Sequence, residues 1–357
     1  MILKTITFDP RQAEAVEAMV ATLSRQRPSP FTLGGFAGSG KTTILKSVLE
    51  RLVGRTVAVA AFTGKATSVL RKKGIGHAQT LHSLIYHYDQ ETKEFYRRGR
   101  LEVGGFAADA VIMDEASMLN RSLHGDLLSF GLPVVFVGDH GQLEPIGDNP
   151  GVMLRPDLTL ETIHRQADDS GILDVAHAFR EGRVPKWNQD AQMVSYDEAM
   201  ERLDDVDVVL CGLNATRSAV NDFIRKRRGV AGPFVEGETV VVLRNNPSFG
   251  VFNGMLLSVR RIRYELHGAY TMDLVDPDEG RVYEAVPCRL FQDVKSDDLR
   301  EVREVVALDY GYCLSVHKFQ GSEADRVLVI EERGPWDGRR WRYTAATRAS
   351  KKLLWTY

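Results

Sequence analysis

The stretch GFAGSGKTT, residues 35–43, decides the fold of this chain because it matches the pattern G-x-x-x-x-G-K-[ST]. The apolar run FTLGG (31–35) before it predicts a strand. The segment KTTILKSVLERL (41–52) after it predicts a helix with one apolar stripe. A glycine-rich turn between a strand and a helix N-terminus directs backbone N–H groups toward phosphate oxygens. The stretch therefore predicts a nucleotide site.

Within this loop, Lys41 is predicted to reach the β- and γ-phosphates, and the Thr42 hydroxyl is predicted to bind Mg²⁺. The residues predicted to bind the nucleotide here are Gly35, Gly38, Ser39, Gly40, Lys41, Thr42 and Thr43.

Two further strand ends carry polar residues that complete a hydrolytic site. Asp114 and Glu115 follow the apolar run AVIM; the first would hold Mg²⁺ and the second would activate the attacking water. Gln142, in GDHGQLEP (138–145), would contact the γ-phosphate or the water. Two adjacent acids favour hydrolysis over transfer to a second substrate. A guanine-selecting N-K-x-D is absent from the sequence, which argues against a GTPase.

The composition is that of a globular protein of two to four packed units: 357 residues, 43% apolar and 26% charged. Neither a membrane-spanning run nor a signal peptide is recognisable. Three cysteines without a CxxC pair predict reduced thiols in the cytoplasm. A net charge of −2 argues against coating of nucleic acid by bulk positive charge, although it allows a narrow basic channel. Clusters of arginine are more often solvated surface than binding patches.

The order of apolar runs predicts an α/β fold. The first 160 residues alternate strands and helices, with strands VAVAA (57–61), AVIMD (110–114) and PVVFVGD (133–139) of the kind buried in parallel sheets. A second α/β unit begins at about residue 207, with a helix that Asn214 is expected to cap. Between 233 and 305, short alternating strands with turn residues predict a small inserted β barrel.

Eight motifs in a fixed order carry a family resemblance. They are GFAGSGKTT, AFTGKAT, TLHSL, VIMDEASM, GDHGQLEPIG, HRQADDSGI, SVHKFQGSEADRVLV and YTAATRASKKL. Together they resemble superfamily 1 helicases of the RecD/Dda-like 5′-to-3′ branch. From the position of the first motor motif near residue 35, we expect the chain to be most similar to the compact, Dda-like members.

The resemblance implies an α/β fold of two RecA-like P-loop motor domains, with a small inserted β-hairpin subdomain and an inserted SH3-like β barrel. The implied boundaries are 1–82 and 108–160 for motor domain 1A, 83–107 for the 1B hairpin or pin, 161–232 and 306–357 for motor domain 2A, and 233–305 for the SH3-like 2B insertion.

The resemblance also implies that ATP binds between the motor domains. Arg165 in HRQ and Arg348 in TRAS would point at the γ-phosphate; surface ion pairs are the alternative for each. Gln12 would read adenine, although with Asp9 it also fits a capping box at the start of a helix. Gln320 and Gly321 would face the nucleotide.

Contacts to single-stranded DNA are implied for seven residues: Phe62, Thr63, Lys65, His82, Ser315, His317 and Lys318. Phe62 stands where the family usually has proline, and could stack on a base or simply pack. The segment 86–106 lies in the place of the strand-separating pin. Its aromatic residues could form a wedge or a plain hairpin.

The leading hypothesis is an ATP-dependent DNA helicase that moves 5′ to 3′ on single-stranded DNA with ATP and Mg²⁺. The expected partners are single-stranded DNA, junctions with duplex, and replication, recombination or repair proteins, without a membrane; a monomer is expected. One alternative is a translocase on single-stranded DNA or RNA that displaces proteins with little unwinding. Another is a loading module whose ATPase only switches affinity.

Overall fold

Two units make up the fold of the computed structural model, which describes residues 8–25, 29–89, 91–92, 94–144, 149–162, 171–244, 246–277, 280–291 and 304–357. The first unit consists of residues 1–86 and 97–169, and the second of residues 87–96 and 170–357.

A parallel sheet forms the centre of the first unit, with its strands in the order β10-β1-β9-β8-β2-β3. Numbered in chain order, these strands are β1 (Phe31–Gly35), β2 (Val57–Ala61), β3 (Gln79–Thr80), β8 (Ala110–Asp114), β9 (Val134–Gly138) and β10 (Leu158–Leu160). Every residue of β2 and β9 is buried, as expected for strands covered on both faces.

Helices cover both faces of this sheet. In the described part of the unit they are α1 (Pro10–Leu23), α2 (Lys41–Arg51), α3 (Gly64–Lys72), α4 (Leu81–Ile85) and α5 (Arg121–Leu128). Met19 of α1 and Ile44 of α2 belong to one apolar core, while Leu84 of α4 and Leu123 of α5 belong to a second. The two cores sandwich the strands, which is the α/β arrangement that the sequence predicts.

The segment between β3 and β8 forms two separate hairpins. The first pairs β4 (Tyr86–Asp89) with β5 (Glu94–Arg97), and the second pairs β6 (Glu102–Val103) with β7 (Phe106–Ala107). Residues 87–96 group with the second unit, where the Phe95 ring lies 6.1 Å from that of Phe252. The sequence predicts a single hairpin over residues 83–107. In the structure, residues 83–85 belong to α4, and the rest of this range contains two hairpins.

The second unit contains another parallel sheet, in the order β11-β20-β19-β12-β18. Its strands are β11 (Ala191–Val194), β12 (Val208–Cys211), β18 (Cys313–Ser315), β19 (Ala324–Val329) and β20 (Ala349–Thr356). The described helices of this unit are α6 (Gly171–Glu181), α7 (Tyr196–Glu201), α8 (Asn214–Arg227), α9 (Val316–Phe319) and α10 (Gly338–Ala346).

A closed barrel of five strands is inserted between β12 and β18. The strands are β13 (Thr239–Val242), β14 (Leu256–Leu266), β15 (Ala269–Val275), β16 (Val282–Leu290) and β17 (Val306–Tyr310). The last strand closes the barrel by pairing with β13 on one side and β16 on the other. The predicted boundary at residue 305 therefore falls one strand too early, because β17 belongs to the barrel.

Helix α8 begins in a way that the sequence does not predict. Leu213, not Asn214, lies at its N-cap and provides no side-chain cap. The Glu332 carboxylate, from the segment after β19, accepts the backbone N–H groups of Gly212 at 2.6 Å and Leu213 at 2.9 Å, and it also accepts the Thr216 hydroxyl. A distant acid thus stabilises the positive end of this helix.

Within the described ranges, none of the helices is long and apolar enough to cross a membrane.

Candidate nucleotide and nucleic-acid site

The loop between β1 and α2 has the geometry of a phosphate cradle. Gly40 lies at the N-cap of α2 with φ 83°, a left-handed conformation that glycine adopts without strain. A Cβ on Gly35 would lie 2.6 Å from Ser39 Oγ, so the close approach requires glycine. The Lys41 ammonium donates to the backbone oxygens of Gly35 at 2.6 Å and Phe36 at 3.0 Å. Lys41 is thereby held at a helix N-terminus, where anions bind.

One buried atom of the loop fits a phosphate ligand. Ser39 is 1% exposed, and among the described residues its Oγ has no hydrogen-bond partner. Leaving a buried hydroxyl unpaired costs about 1–3 kcal/mol. A phosphate oxygen would satisfy this hydroxyl together with the backbone amides of the first turn of α2, where Thr42 and Thr43 are half-buried. The loop therefore fits the nucleotide that the sequence predicts.

Parallel pairing brings the ends of three strands to one edge of the sheet. Gly34 of β1 pairs with Gly138 of β9, and Met113 of β8 pairs with Phe136 of β9. The segments that follow β1, β8 and β9 are the phosphate loop, the acidic pair and the turn that carries Gln142. They lie at the carboxyl edge, where α/β sheets bind ligands.

The acidic pair ends β8 in an unusual conformation. Burial raises the pKa of Asp114, while the Glu115 backbone N–H and the charges of Lys41 and Lys73 act in the opposite direction. Glu115 has φ 54° and ψ 39°, a left-handed conformation that is rare outside glycine and often found at functional sites.

Over the described ranges, clusters of three or more His, Cys, Asp or Glu that could hold a metal are not found. A magnesium ion at Asp114 and Thr42 would therefore also need phosphate oxygens and water, as Mg²⁺ commonly does at nucleotides.

The turn after β9 is organised by an acid that the sequence analysis did not single out. Asp139 is 1% exposed, and its carboxylate accepts the Gly141 backbone N–H at 2.9 Å. The side-chain amide of Gln142, which is also buried, lies 3.4 Å from the other carboxylate oxygen. Asp139 thus fixes the turn that carries Gln142. Its position at the end of a buried strand, after glycine, is the signal that could have identified it.

Gln12 forms the capping box that the sequence offered as one of its two roles. Its side-chain oxygen accepts the Asp9 backbone N–H at 3.2 Å, and the Asp9 carboxylate accepts the Gln12 N–H at 2.8 Å. Its amide nitrogen also donates to the Ser39 carbonyl at 3.1 Å. Gln12 therefore joins α1 to the phosphate loop, and its reading of adenine stays a prediction.

The four DNA-contact residues predicted in the first unit follow adjacent strand ends, because Ala61 of β2 pairs with Thr80 of β3. The residues brought together at this edge are Phe62, Thr63, Lys65 and His82.

Contacts between aromatic rings link Phe62, His82 and Tyr86, and the Thr63 hydroxyl caps a helix. The rings of Phe62 and His82 lie 6.3 Å apart, and those of His82 and Tyr86 lie 6.0 Å apart. Burial lowers the pKa of His82, which keeps the imidazole neutral at pH 7. The Thr63 hydroxyl accepts the Ala66 backbone N–H at 3.1 Å and so caps α3. DNA contact by these residues stays a prediction.

The second unit repeats this arrangement. The Ser315 hydroxyl accepts the Lys318 backbone N–H at 3.3 Å and caps α9. The His317 ring lies 6.2 Å from Trp336, and burial lowers the pKa of His317. Burial, together with the charge of Arg217, also lowers the pKa of Lys318. A hydroxyl cap, an imidazole and a lysine thus gather at the carboxyl end of β18.

Arg348 is buried in the second unit, where Gln320 and Gly321 also lie. It is 6% exposed, and its guanidinium donates to the Thr344 carbonyl at 3.1 Å, the Ser322 carbonyl at 3.0 Å and the Thr347 hydroxyl at 3.2 Å. Among the described residues these partners carry no charge, which does not match the surface ion pair given as the alternative for Arg348. A role at the γ-phosphate stays a prediction.

Three further residues were predicted to act at the nucleotide, and the structure describes two of them. Gln320 is 3% exposed, and Gly321 follows it with φ 75°. Arg165 lies outside the described residues.

One face of α8 attaches the barrel to the second sheet, a role the sequence analysis did not assign. Arg217 pairs with Asp309 of β17, and Arg225 pairs with Glu238 at 2.7 Å. The Asn221 amide donates to the carbonyls on both sides of the turn between β17 and β18, at 3.2 and 3.1 Å. The spacing of these α8 residues by four is the sequence signal that could have revealed this face.

A parallel sheet whose carboxyl edge carries this loop and an acidic strand end defines a P-loop nucleotide-binding protein. The AAA domain family model matches residues 7–211, more than half of the chain, so the chain belongs to the AAA domain family. The model of the UvrD-like helicase C-terminal domain matches residues 310–355.

Known relatives confirm the resemblance to superfamily 1 helicases of the RecD/Dda type. The chain is 30% identical to the conjugal transfer protein TraA of Agrobacterium fabrum and 29% identical to the ATP-dependent RecD2 DNA helicase of Deinococcus radiodurans. Each alignment covers 90% of this chain, but 30% of the first relative and 46% of the second. The chain thus spans less than half the length of either.

A solved structure confirms the fold. The Pif1 helicase from Bacteroides in complex with ADP-AlF3 and ssDNA matches with a TM-score of 0.57 and 18% identity, over 98% of this chain and 92% of that one. The likeness supports two RecA-like α/β motor domains and shows the fold alone.

Proposed function

We propose that this chain is an ATP-dependent DNA helicase motor that moves 5′ to 3′ on single-stranded DNA. The observation that carries the proposal is the common edge of the first sheet, which holds both the phosphate loop and the Phe62–His82 group. A nucleotide at this edge can change the position of residues that grip a strand. The RecD2 relative, described as an ATP-dependent DNA helicase, supports the assignment.

Each residue of the nucleotide site has a distinct task in this proposal. Lys41 exchanges its two carbonyl partners for phosphate oxygens, which are stronger acceptors. Glu115 accepts a proton from the attacking water, and Gln142 orients that water. Thr42 and Asp114 would hold Mg²⁺, which when bound supplies positive charge to the phosphate oxygens.

Arg348 would stabilise the charge that develops in the transition state. Its three present partners are two carbonyls and a hydroxyl, which a phosphate oxygen can outcompete.

The DNA contacts of the proposal are contacts to the backbone. The helices α3 and α9 each begin with a hydroxyl cap, and a hydroxyl that accepts one bond can still donate to a phosphate. Neutral His82 and His317, together with Lys65 and Lys318, suit phosphates without reading sequence. We therefore expect binding to any strand, with affinity that falls as salt rises.

The finer architecture is part of the proposal. We infer that the closed barrel is an SH3-like 2B insertion and that the β4–β5 hairpin is the 1B pin. Single-stranded DNA and its junctions with duplex are the proposed substrates of a monomer. Replication, recombination or repair proteins are the proposed partners. Free, buried thiols suit the reducing cytoplasm, which we include in the proposal.

Hydrolysis stimulated by DNA is the first test. The expected result is an ATPase whose rate rises several-fold with single-stranded DNA and which Lys41→Ala abolishes. Lys46→Ala is the matched control, because Lys46 is exposed on the same helix α2. Near-normal hydrolysis by the Lys41 variant would overturn the assignment of the site.

Duplexes with one single-stranded tail test activity and direction together. We expect strand separation with a 5′ tail and none with a 3′ tail. Unwinding from the 3′ tail alone would contradict the proposed polarity. Turnover that DNA does not stimulate would favour a loading module.

A translocase that displaces proteins is the second candidate. The short β4–β5 hairpin, with four residues in each strand, favours it. DNA- or RNA-stimulated ATPase together with displacement of a protein from the strand, but without unwinding from either tail, would support this candidate against the helicase.

A further inference from the structure

Phe36, the second residue of the phosphate loop, lies against the turn after β9. It is 8% exposed, and its ring centroid lies 4.3 Å from that of His140 at an interplanar angle of 42°. A Cβ on Gly141 would lie 3.0 Å from Phe36 Cε1, and a Cβ on Gly34 would lie 2.9 Å from His140 Nδ1. The turn therefore rests directly on the end of β1 and the start of the loop.

Hydrogen bonds within the turn connect its residues to one another. Asp139 accepts the backbone N–H of Gly141 through its carboxylate at 2.9 Å and that of Gln142 through its carbonyl at 3.2 Å. Both Asp139 and Gln142 are buried. Because these bonds fix the turn internally, a displacement of His140 or Gly141 also displaces Gln142.

Lys41 restrains the other side of Phe36. Its ammonium donates to the Phe36 carbonyl at 3.0 Å and to the Gly35 carbonyl at 2.6 Å. A bound phosphate would compete for the same ammonium, because ionised oxygens are stronger acceptors than carbonyls. Binding of a phosphate in the loop would thus weaken the hydrogen bond that Lys41 donates to the Phe36 carbonyl.

We propose that Phe36 is a positioning residue that links filling of the phosphate loop to the position of Gln142 through its ring contact with His140. The inference rests on the proposed function, in which Gln142 orients the attacking water. Phe36 itself need not touch the nucleotide. The contact depends on an aromatic ring, since ring pairs prefer tilted and offset geometries that an aliphatic side chain cannot reproduce.

The variant Phe36→Leu tests the proposal because it keeps apolar volume and removes the ring. We expect affinity for a fluorescent ADP analogue to stay within about threefold, while DNA-stimulated kcat falls about tenfold, as expected when an interaction is lost that matters in the transition state and not in the bound ground state. Phe31→Leu is the matched control, since Phe31 is a half-buried phenylalanine of the adjoining strand β1. It should leave both quantities near the wild-type values.

Hydrogen exchange gives a readout that does not need DNA. On binding a non-hydrolysable ATP analogue, wild-type protein should gain protection over residues 35–42 and also over 138–143. Phe36→Leu should keep the first response and lose the second. An unchanged second response in the variant, the lack of that response in wild type, or loss of affinity in step with rate would each overturn the proposal.

The same experiment separates this inference from the proposed function. Wild-type protein without DNA-stimulated hydrolysis would contradict the helicase. Loss of the second exchange response in Phe36→Leu would still support the contact between Phe36 and His140.

Gly141, which lies next to the Phe36 ring, allows a second test. Gly141→Ala would place a Cβ 3.0 Å from Phe36 Cε1 and press on the ring. Phe36→Leu removes that atom, so the double variant should lose less DNA-stimulated activity than the two single losses predict. Strictly additive losses would argue that the two residues act independently.

Discussion

Burial and metal binding impose opposite demands on Asp114. Burial raises the pKa of this carboxyl above its ordinary value of 3.8, so folding favours the protonated form. Mg²⁺ requires the carboxylate. Above the raised pKa, the folded protein without nucleotide therefore carries a charge that lowers its stability. At pH values below 3.8 the carboxyl is neutral in both states, and this cost disappears.

Asp114→Asn should therefore stabilise the nucleotide-free protein while abolishing hydrolysis. At pH 8 we expect its Tm to exceed that of wild type by about 2–4 °C, because the variant removes a carboxyl whose raised pKa lowers the stability of the fold at pH values above 3.8. The gain should shrink as the pH is lowered to 3.8 and below, because the carboxyl of unfolded wild type is then protonated as well. Thermal unfolding across this pH range measures the effect. A lower Tm than wild type at pH 8 would contradict the physical argument.

Two glycines of the first unit differ in what a methyl group would meet. A Cβ on Gly35 would lie 2.6 Å from Ser39 Oγ, whereas a Cβ on Gly125 of α5 has no atom within 4 Å. We expect Gly35→Ala to weaken ATP binding at least tenfold, by distorting the loop. Gly125→Ala should leave binding unchanged and stabilise the helix by up to about 1 kcal/mol. Calorimetric titration with ATP measures the affinity of both variants. Equal affinities would contradict the assignment of residues 35–43 as the phosphate-binding loop.

At the scale of elements, the same arrangement of strand, hydroxyl cap and helix occurs in both units. A strand of a parallel sheet is followed by a helix that a hydroxyl caps, Thr63 for α3 and Ser315 for α9. The sequence predicts these hydroxyls as DNA contacts, and the structure shows them as caps. The two roles are compatible because a hydroxyl accepts from one partner and donates to another.

Lys318, in the only turn of α9, provides a quantitative test of phosphate contact. Lys318→Ala should weaken binding of single-stranded DNA and reduce the slope of log K against log[salt] by about 0.7, the value for one phosphate contact. Lys351→Ala is the control, because Lys351 is exposed on β20 and pairs with Asp325 at 2.7 Å. An unchanged slope for the Lys318 variant would exclude this contact.

At the scale of the whole molecule, the attachment of the barrel depends on a buried ion pair. Arg225 of α8 and Glu238 at the start of the barrel have side chains 11% and 0% exposed. Glu238 also accepts the Val235 backbone N–H at 3.2 Å and the Tyr312 hydroxyl at 3.3 Å. Removing one partner of such a pair leaves a buried charge without compensation.

Arg225→Ala should therefore lower the free energy of unfolding by about 3–5 kcal/mol. Arg11→Ala, which removes an exposed pair with Glu14, should cost about 0–0.5 kcal/mol. Urea unfolding measures both. Adding Glu238→Gln to the Arg225 variant should recover part of the loss, because it removes the buried charge. No recovery would mean that lost packing, and not charge, explains the effect.

The sequence by itself determined the features that depend on local chemistry. The runs FTLGG, VAVAA and AVIMD became β1, β2 and β8 with the expected ends, because a buried strand in a parallel sheet needs a continuous apolar run. The phosphate loop and the capping box of α1 also follow from residues adjacent in sequence. The family resemblance then gave the order of the units.

Only the tertiary structure decided the features that join distant segments. Glu332 caps α8 from 120 residues away, β17 closes the barrel beyond the predicted boundary, and the Sγ atoms of Cys211 and Cys313, 102 residues apart, lie 3.7 Å from each other. The contact of Phe36 with His140 has the same origin. Periodicity and caps describe neighbours along the chain, whereas these contacts arise from strand order, which brings residues together regardless of their separation in sequence.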